Sequence, residues 1–182
     1  MARQIRTVPT PVGDARLHAD RATRPVAALV LGHGAGGGVE SPDLLALSRA
    51  LPNQGISVFR IEQPWRVDGK RVASRPEALD AATLSCVNAI RVRTPLILGG
   101  RSAGARVACR LAHACGAVGC MALAFPLQPP GRPGVTRLLE LQEVDLPTVV
   151  IQGQRDAFGG LTRFLPTSTW SRCLRQTTAS RC

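Results

Sequence analysis

The sequence predicts an α/β protein with a mainly parallel sheet and helices on both faces. Three observations carry this. Apolar strand-like runs alternate along the chain with helix-like segments, the pattern of strand-helix-strand units. "VAALVLG" (26–32) is apolar throughout, as a strand covered on both faces must be. In "LILGGRSAGARVACRLA" (96–112) a short apolar strand turns sharply into a helix through Gly100, Ser102 and Gly104. A chain of 182 residues suits one domain with a single core, and residues 1–160 read as that domain.

In chain order, "IRTVP" (5–9) and "ARLHA" (15–19) read as edge strands with a turn at Gly13 and Asp14. "VAALVLG" follows as a buried strand. "SPDLLALSRALPNQG" (41–55) reads as a helix, with Ser41 as N-cap, Pro42 at the first helical position and Gly55 at the end. "ISVFRIE" (56–62) is the next strand. "SRPEALDAATLSCVNAIRVR" (74–93) reads as a helix whose Ser74 and Glu77 stand at capping-box spacing. Then come the strand "PLILGG" (95–100) and a helix from Ser102 to about Cys115. "VGCMALAFP" (118–126) is a strand, "PPGRPG" (129–134) a loop, and Val135 to Val144 a short helix. "PTVVIQG" (147–153) is the last clear strand, and no internal repeat is present.

Composition narrows the function classes. Apolar residues make up 45%, which argues for a folded domain. No run of eighteen apolar residues suggests a membrane span, and "MARQIRTVPTP" lacks the apolar stretch of a signal peptide, so a cytoplasmic protein is expected. Net charge is +11, and of 23 basic residues only Lys70 is a lysine. The arginines are scattered and aromatics are 3%, so no nucleic-acid module is visible and none is expected as partner. The six cysteines, Cys86, Cys109, Cys115, Cys120, Cys173 and Cys182, form no C-x-x-C pair, and the expectation is reduced thiols with no metal.

Three stretches carry chemistry. Gly100, Arg101, Ser102, Ala103 and Gly104 match G-x-S-x-G with a strand before and a helix after, the context in which this pattern presents a serine nucleophile. The helix N-terminus beyond it favours developing negative charge. The plain alternative is a serine that caps the helix. "LVLGHGAGGG" (29–38) follows a buried strand and offers backbone N–H groups. In acyl transfer such a loop donates to an oxyanion, together with the residue after the nucleophile, which points to Gly34, Ala35 and Ala103. The same glycines, Gly32, Gly34 and Gly37, also match G-x-G-x-x-G, with Glu62 ending the next strand as in a dinucleotide-binding unit. That reading needs a helix starting at the glycines, and the helix signals come later, at Ser41 and Pro42. In "VVIQGQRDAFGG" (149–160), Asp156 follows an apolar strand and comes after the serine in chain order, as a triad acid should. A solvated turn aspartate is the alternative.

With these motifs in hand, the chain resembles the α/β-hydrolase fold family, most closely its small cap-less members of the dienelactone-hydrolase-like branch. The motifs are "GHGAGG", "GGRSAGARVA", "AFPLQPPGRP" and "VVIQGQRDAFG", in order from about residue 5 to residue 160. The resemblance implies a three-layer sandwich and a small ester-like substrate, with no cofactor. Ser102 would be the nucleophile, Asp156 the acid and the "HGAG" loop part of the oxyanion hole.

The family's catalytic histidine has no counterpart in this reading. No histidine follows His113. His18 falls on an early strand and His33 opens the glycine loop as a shaping residue. His113 is eleven residues along the helix from Ser102, roughly 16 Å at the usual rise. The segment "LTRFLPTSTWSRCLRQTTASRC" (161–182) has eight Ser or Thr, four Arg and no acid. It reads as an atypical tail, frame-shifted or disordered, in place of the last helix and strand. The expected function is an impaired serine hydrolase. The alternatives are a non-catalytic binding protein on the same fold and a Rossmann-like nucleotide-binding protein.

Overall fold

The computed structural model describes residues 4–158 apart from 92, 129–131, 133, 155 and 157. The segment 161–182, with Cys173 and Cys182, lies outside the described residues.

β1 (Gln4–Thr10) and β2 (Gly13–Asp20) form an antiparallel hairpin, with Thr10 opposite Gly13. Its turn is therefore Pro11 and Val12, two residues before the expected Gly13 and Asp14. Gly13 is spent on entry to β2, at φ +111°, and the Val12 N–H donates to Thr10 Oγ1 at 3.2 Å. β2 is an inner strand, not an edge: its far side pairs antiparallel with β4 (Ile56–Glu62).

The rest of the sheet is parallel, as expected. β3 (Ala27–Gly32), β5 (Leu96–Arg101), β6 (Gly119–Leu123) and β7 (Thr148–Ile151) complete the order β1-β2-β4-β3-β5-β6-β7. β3 sits at the centre, and its apolar run is explained by its two faces. Ala28 and Val30 join the core on one side, Leu29 and Leu31 the core on the other.

α1 (Pro42–Ala50) covers the second of these faces through Leu44. α3 (Pro76–Ala89) and α4 (Ala103–Leu111) cover the first through Cys86, Val87, Ala105 and Ala108. Two short helices, α2 (Pro64–Val67) and α5 (Leu138–Gln142), pack at the rim. α2 has no counterpart in the sequence reading.

The helix starts differ from expectation. Ser41 does not cap α1; its hydroxyl donates to the Gly38 carbonyl at 2.9 Å and so closes the glycine loop. α3 begins at Pro76, so the Ser74 and Glu77 capping box does not form; proline's fixed φ starts the helix instead. α3 also stops at Ala89, where Ile90 turns extended at ψ 97°. Beyond β6, β7 has no further strand among the described residues, and Val149 and Ile151 are 37% and 43% exposed. No helix among the described residues is long and apolar enough to cross a membrane.

Candidate active site

Ser102 stands between β5 and α4 at φ 52°, ψ −111°. A side chain held at positive φ costs about 1–3 kcal/mol, so the surrounding structure must impose this corner. Three glycines impose it. A Cβ on Gly104 would collide with the Gly32 carbonyl, and one on Gly100 with the Gly104 backbone. The first turn of α4 therefore lies directly on the ends of β3 and β5. The Ser102 N–H donates to the Leu123 carbonyl at 2.9 Å, tying the corner to β6 as well. Ser102 occupies the N-cap position yet its hydroxyl makes no capping hydrogen bond. The capping alternative thus leaves the side chain unexplained.

Gly34 faces the serine. A Cβ built there would stand 3.3 Å from Ser102 Cβ and 4.0 Å from its Oγ. Ala35 and Ala103 line one small pocket beside it, together with Gly34 and Gly104. The structure thus brings Ser102, Gly34, Ala35 and Ala103 together at the carboxyl ends of β3 and β5.

The loop carrying Gly34 is held by buried polar groups. Gln63 N–H donates to His33 Nε2 at 3.2 Å, so that nitrogen carries the lone pair. Nδ1–H then donates to the Gly34 carbonyl at 2.9 Å. Burial pushes this imidazole below its ordinary value, against the opposing pull of the Gly34 bond and of Glu62. His33 is neutral and spends both nitrogens on the loop. It shapes the site and has no nitrogen left for Ser102. At the far end of the loop, Arg60 is fully buried and donates to the Val39 carbonyl at 2.7 Å and to Asp20 at 3.0 Å. Sequence reasoning missed Arg60. A lone arginine inside the apolar run "ISVFRIE" was the available signal.

Asp156 follows the carboxyl end of β7, and β7 is two strands from β5, roughly 10 Å at the usual strand spacing. Its loop carries two local bonds, Asp156 N–H to Gly153 O at 3.2 Å and Phe158 N–H to Asp156 Oδ1 at 2.9 Å, and is tied to the segment after β6 by Gln128 N–H donating to Phe158 O at 2.8 Å. The other histidines are elsewhere. His18 is buried on β2 with Nε2 3.0 Å from Glu62, and His113 is exposed beyond α4. Glu62 is thus engaged by His18, and α1 starts at Pro42, five residues past Gly37; neither feature suits a pyrophosphate loop with a ribose carboxylate. Arg101 pairs with Asp43 at 2.6 Å, and Arg106 holds Glu140 through two nitrogens, so both are structural cations. No group of three metal-ligating side chains occurs among the described residues.

The sequence matches the family model described as "Alpha/beta hydrolase domain" over residues 25–177. The chain belongs to this family. Solved structures agree on the hydrolase fold. The domain is similar to a lidless α/β serine hydrolase from Xanthomonas campestris, with TM-score 0.68 and 21% identity over 89% of this chain and 76% of that one. A serine hydrolase homologue from Coxiella burnetii aligns at TM-score 0.73 and 18% identity over 90% and 79% of the two chains. Est1E from Butyrivibrio proteoclasticus aligns at TM-score 0.68 and 12% identity over 87% and 81%. No curated protein matches the sequence of this hydrolase domain significantly.

Proposed function

We propose that this domain is built for serine-dependent cleavage of an ester or similar acyl bond in a small substrate. Ser102 is the nucleophile, and the Gly34, Ala35 and Ala103 backbone is the oxyanion hole. Asp156 is the triad acid. The observation that carries the reading is the strained, uncapped Ser102 facing Gly34. A capping or surface serine needs neither a positive φ nor three touching glycines. In this scheme Ser102 Oγ bonds to the acyl carbon, the alkoxide leaves with the bonding electrons and takes up the serine proton by way of solvent, and water then cleaves the acyl-serine to the acid and free serine.

The proton of Ser102 has no imidazole to receive it within these 182 residues, since His18, His33 and His113 are placed as described. On this reading the chain as given hydrolyses esters slowly, because none of His18, His33 and His113 is placed to take the Ser102 proton. Loss of the base alone costs about a millionfold in kcat in a serine hydrolase, and the oxyanion hole leaves roughly 10³–10⁴ over water. The same observation favours a second reading, a binding protein on the hydrolase scaffold.

One experiment separates the two. Hydrolysis of p-nitrophenyl acetate by the purified chain is compared with that of Ser102→Ala. Slow turnover that the variant abolishes supports the hydrolase. Equal background in both supports the binding protein. Turnover in the ordinary range of about 1–1,000 per second, lost in the variant, would show another group serving as base.

A further inference from the structure

The β1-β2 hairpin and the end of α3 enclose a cavity at the amino end of the parallel strands, the edge opposite Ser102. Side chains alternate along a strand, so Gln4 and Arg6 of β1 share a face with Ala19 and Leu17, their register partners on β2. Arg21, two residues beyond Ala19, lines the same cavity, and Phe59 and Ile90 complete its wall. Leu17, Ala19, Phe59 and Ile90 are buried and form the floor, while Gln4, Arg6 and Arg21 are exposed at the rim. The volume is about 70 Å³, several times what one water needs and enough for a small polyatomic group.

Both guanidinium groups are held in place. Arg6 Nη2 donates to the Ala89 carbonyl at 2.7 Å, at the C-terminus of α3, and the Arg21 guanidinium lies 5.1 Å over the Phe59 ring. Each contact leaves further N–H donors unspent. Neither cation pairs with a carboxylate among the described residues; Asp20, next to Arg21 in sequence, holds Arg60 at 3.0 Å instead. Arg101, Arg106 and Arg110 show the contrast, since each of them holds an Asp or Glu. Here two like charges face one cavity whose wall contains no acid.

We propose that this cavity binds a doubly charged phosphate group, free or at the end of a small soluble ester. Charge selects the occupant. A terminal phosphate carries about −1.5 to −2 at neutral pH, which matches two guanidinium groups. Its three free oxygens can accept from both arginine forks and from the Gln4 amide. A carboxylate brings one charge and two oxygens, and a phosphodiester one charge and a second substituent. An apolar group leaves both cations unmatched. The inference is independent of the role of Ser102.

The test is calorimetric titration of the intact chain, at neutral pH and constant ionic strength, with four probes: inorganic phosphate, phenyl phosphate, dimethyl phosphate and benzoate. One phosphate probe should bind saturably at one site per chain, at least about tenfold more tightly than dimethyl phosphate or benzoate, the range of one charge-assisted hydrogen bond. Tighter binding of phenyl phosphate would identify an ester as the source, and tighter binding of inorganic phosphate the free anion. Arg6→Gln and Arg21→Gln should each weaken binding at least about tenfold. Arg49→Gln removes the same charge from the last turn of α1 and should leave affinity within about twofold, which separates a site from the general pull of a basic chain. Urea unfolding accompanies each variant. If loss of the Ala89 bond shifts the midpoint of Arg6→Gln, Arg21→Lys carries the test, since it keeps the charge, loses the planar fork and should still weaken binding. Absence of saturation up to about 10 mM phosphate probe overturns the proposal. So does equal affinity for the singly charged probes, or an equal loss in Arg49→Gln.

Discussion

The serine corner and the Asp156 loop share the carboxyl edge of the sheet and are held in opposite ways. At the corner, Gly104 touches Gly32 and Gly100, backbone on backbone, and the facing loop is pinned by the buried His33 and Arg60. In the Asp156 loop the bonds of Asp156 itself, to Gly153 and Phe158, span three residues or fewer, and one backbone bond from Gln128 reaches the loop at Phe158. The first arrangement depends on atoms brought together from distant parts of the chain and leaves no space for a change. The second rests on hydrogen bonds within the loop and one to Gln128, with no backbone packed on backbone. The position of Ser102 is thus a property of the whole fold, and that of Asp156 depends mainly on its own loop.

The comparison is broken most severely at Gly104. Gly104→Ala puts a methyl into the Gly32 carbonyl, and the helix must move off the sheet. Overpacking of this kind should cost about 3 kcal/mol or more, read from urea unfolding. Arg60→Met comes next. It removes the donors to Val39 and Asp20, and since Asp20 retains some contact with water the cost should be about 2–3 kcal/mol. The stability of Gly104→Ala should be the lower of the two; the opposite order would mean that polar bonds, not backbone contact, hold the corner.

A pH series sharpens the same side. His33 is held below the ordinary imidazole value of 6.5, so the unfolded chain binds its proton first as pH falls. This contribution to stability is complete above about pH 6.5 and is lost below it, with a slope of at most about 1.4 kcal/mol per pH unit for one proton. His33→Asn should flatten that slope. The smallest effects belong to the acid loop. Asp156→Ala should cost about 0.5–1 kcal/mol through the lost Phe158 bond, and Asp156→Asn, which keeps an acceptor oxygen, less than about 0.5. A larger loss would show the loop to be tied into the core.

Legibility in the sequence divides along the same line. Strands β3, β4 and β5 were readable because burial on both faces leaves a continuous apolar run. The sharp corner at Ser102 was readable because tight backbone contact demands small residues at set spacing. Local signals failed where two residues competed for one role. Pro76 overrode Ser74 at the start of α3, and Gly13 served β2 instead of the turn. Arg60 and Gln63 were missed because what makes them matter is a partner far away in sequence, Val39 for Arg60 and His33 for Gln63.

The contact of Gly104 with Gly32 also bears on how the chain reaches its native state. Between them lie α1, β4, α2, α3 and β5, so a long loop must close before the two backbones can meet. The corner is therefore expected to form late in folding. Until β3 and β5 lie side by side, nothing forces Ser102 to positive φ, and the segment 96–112 cut out as a peptide would carry the motif and none of its geometry. A nascent chain holds an ordinary serine; the strained one exists only after the sheet has closed around it.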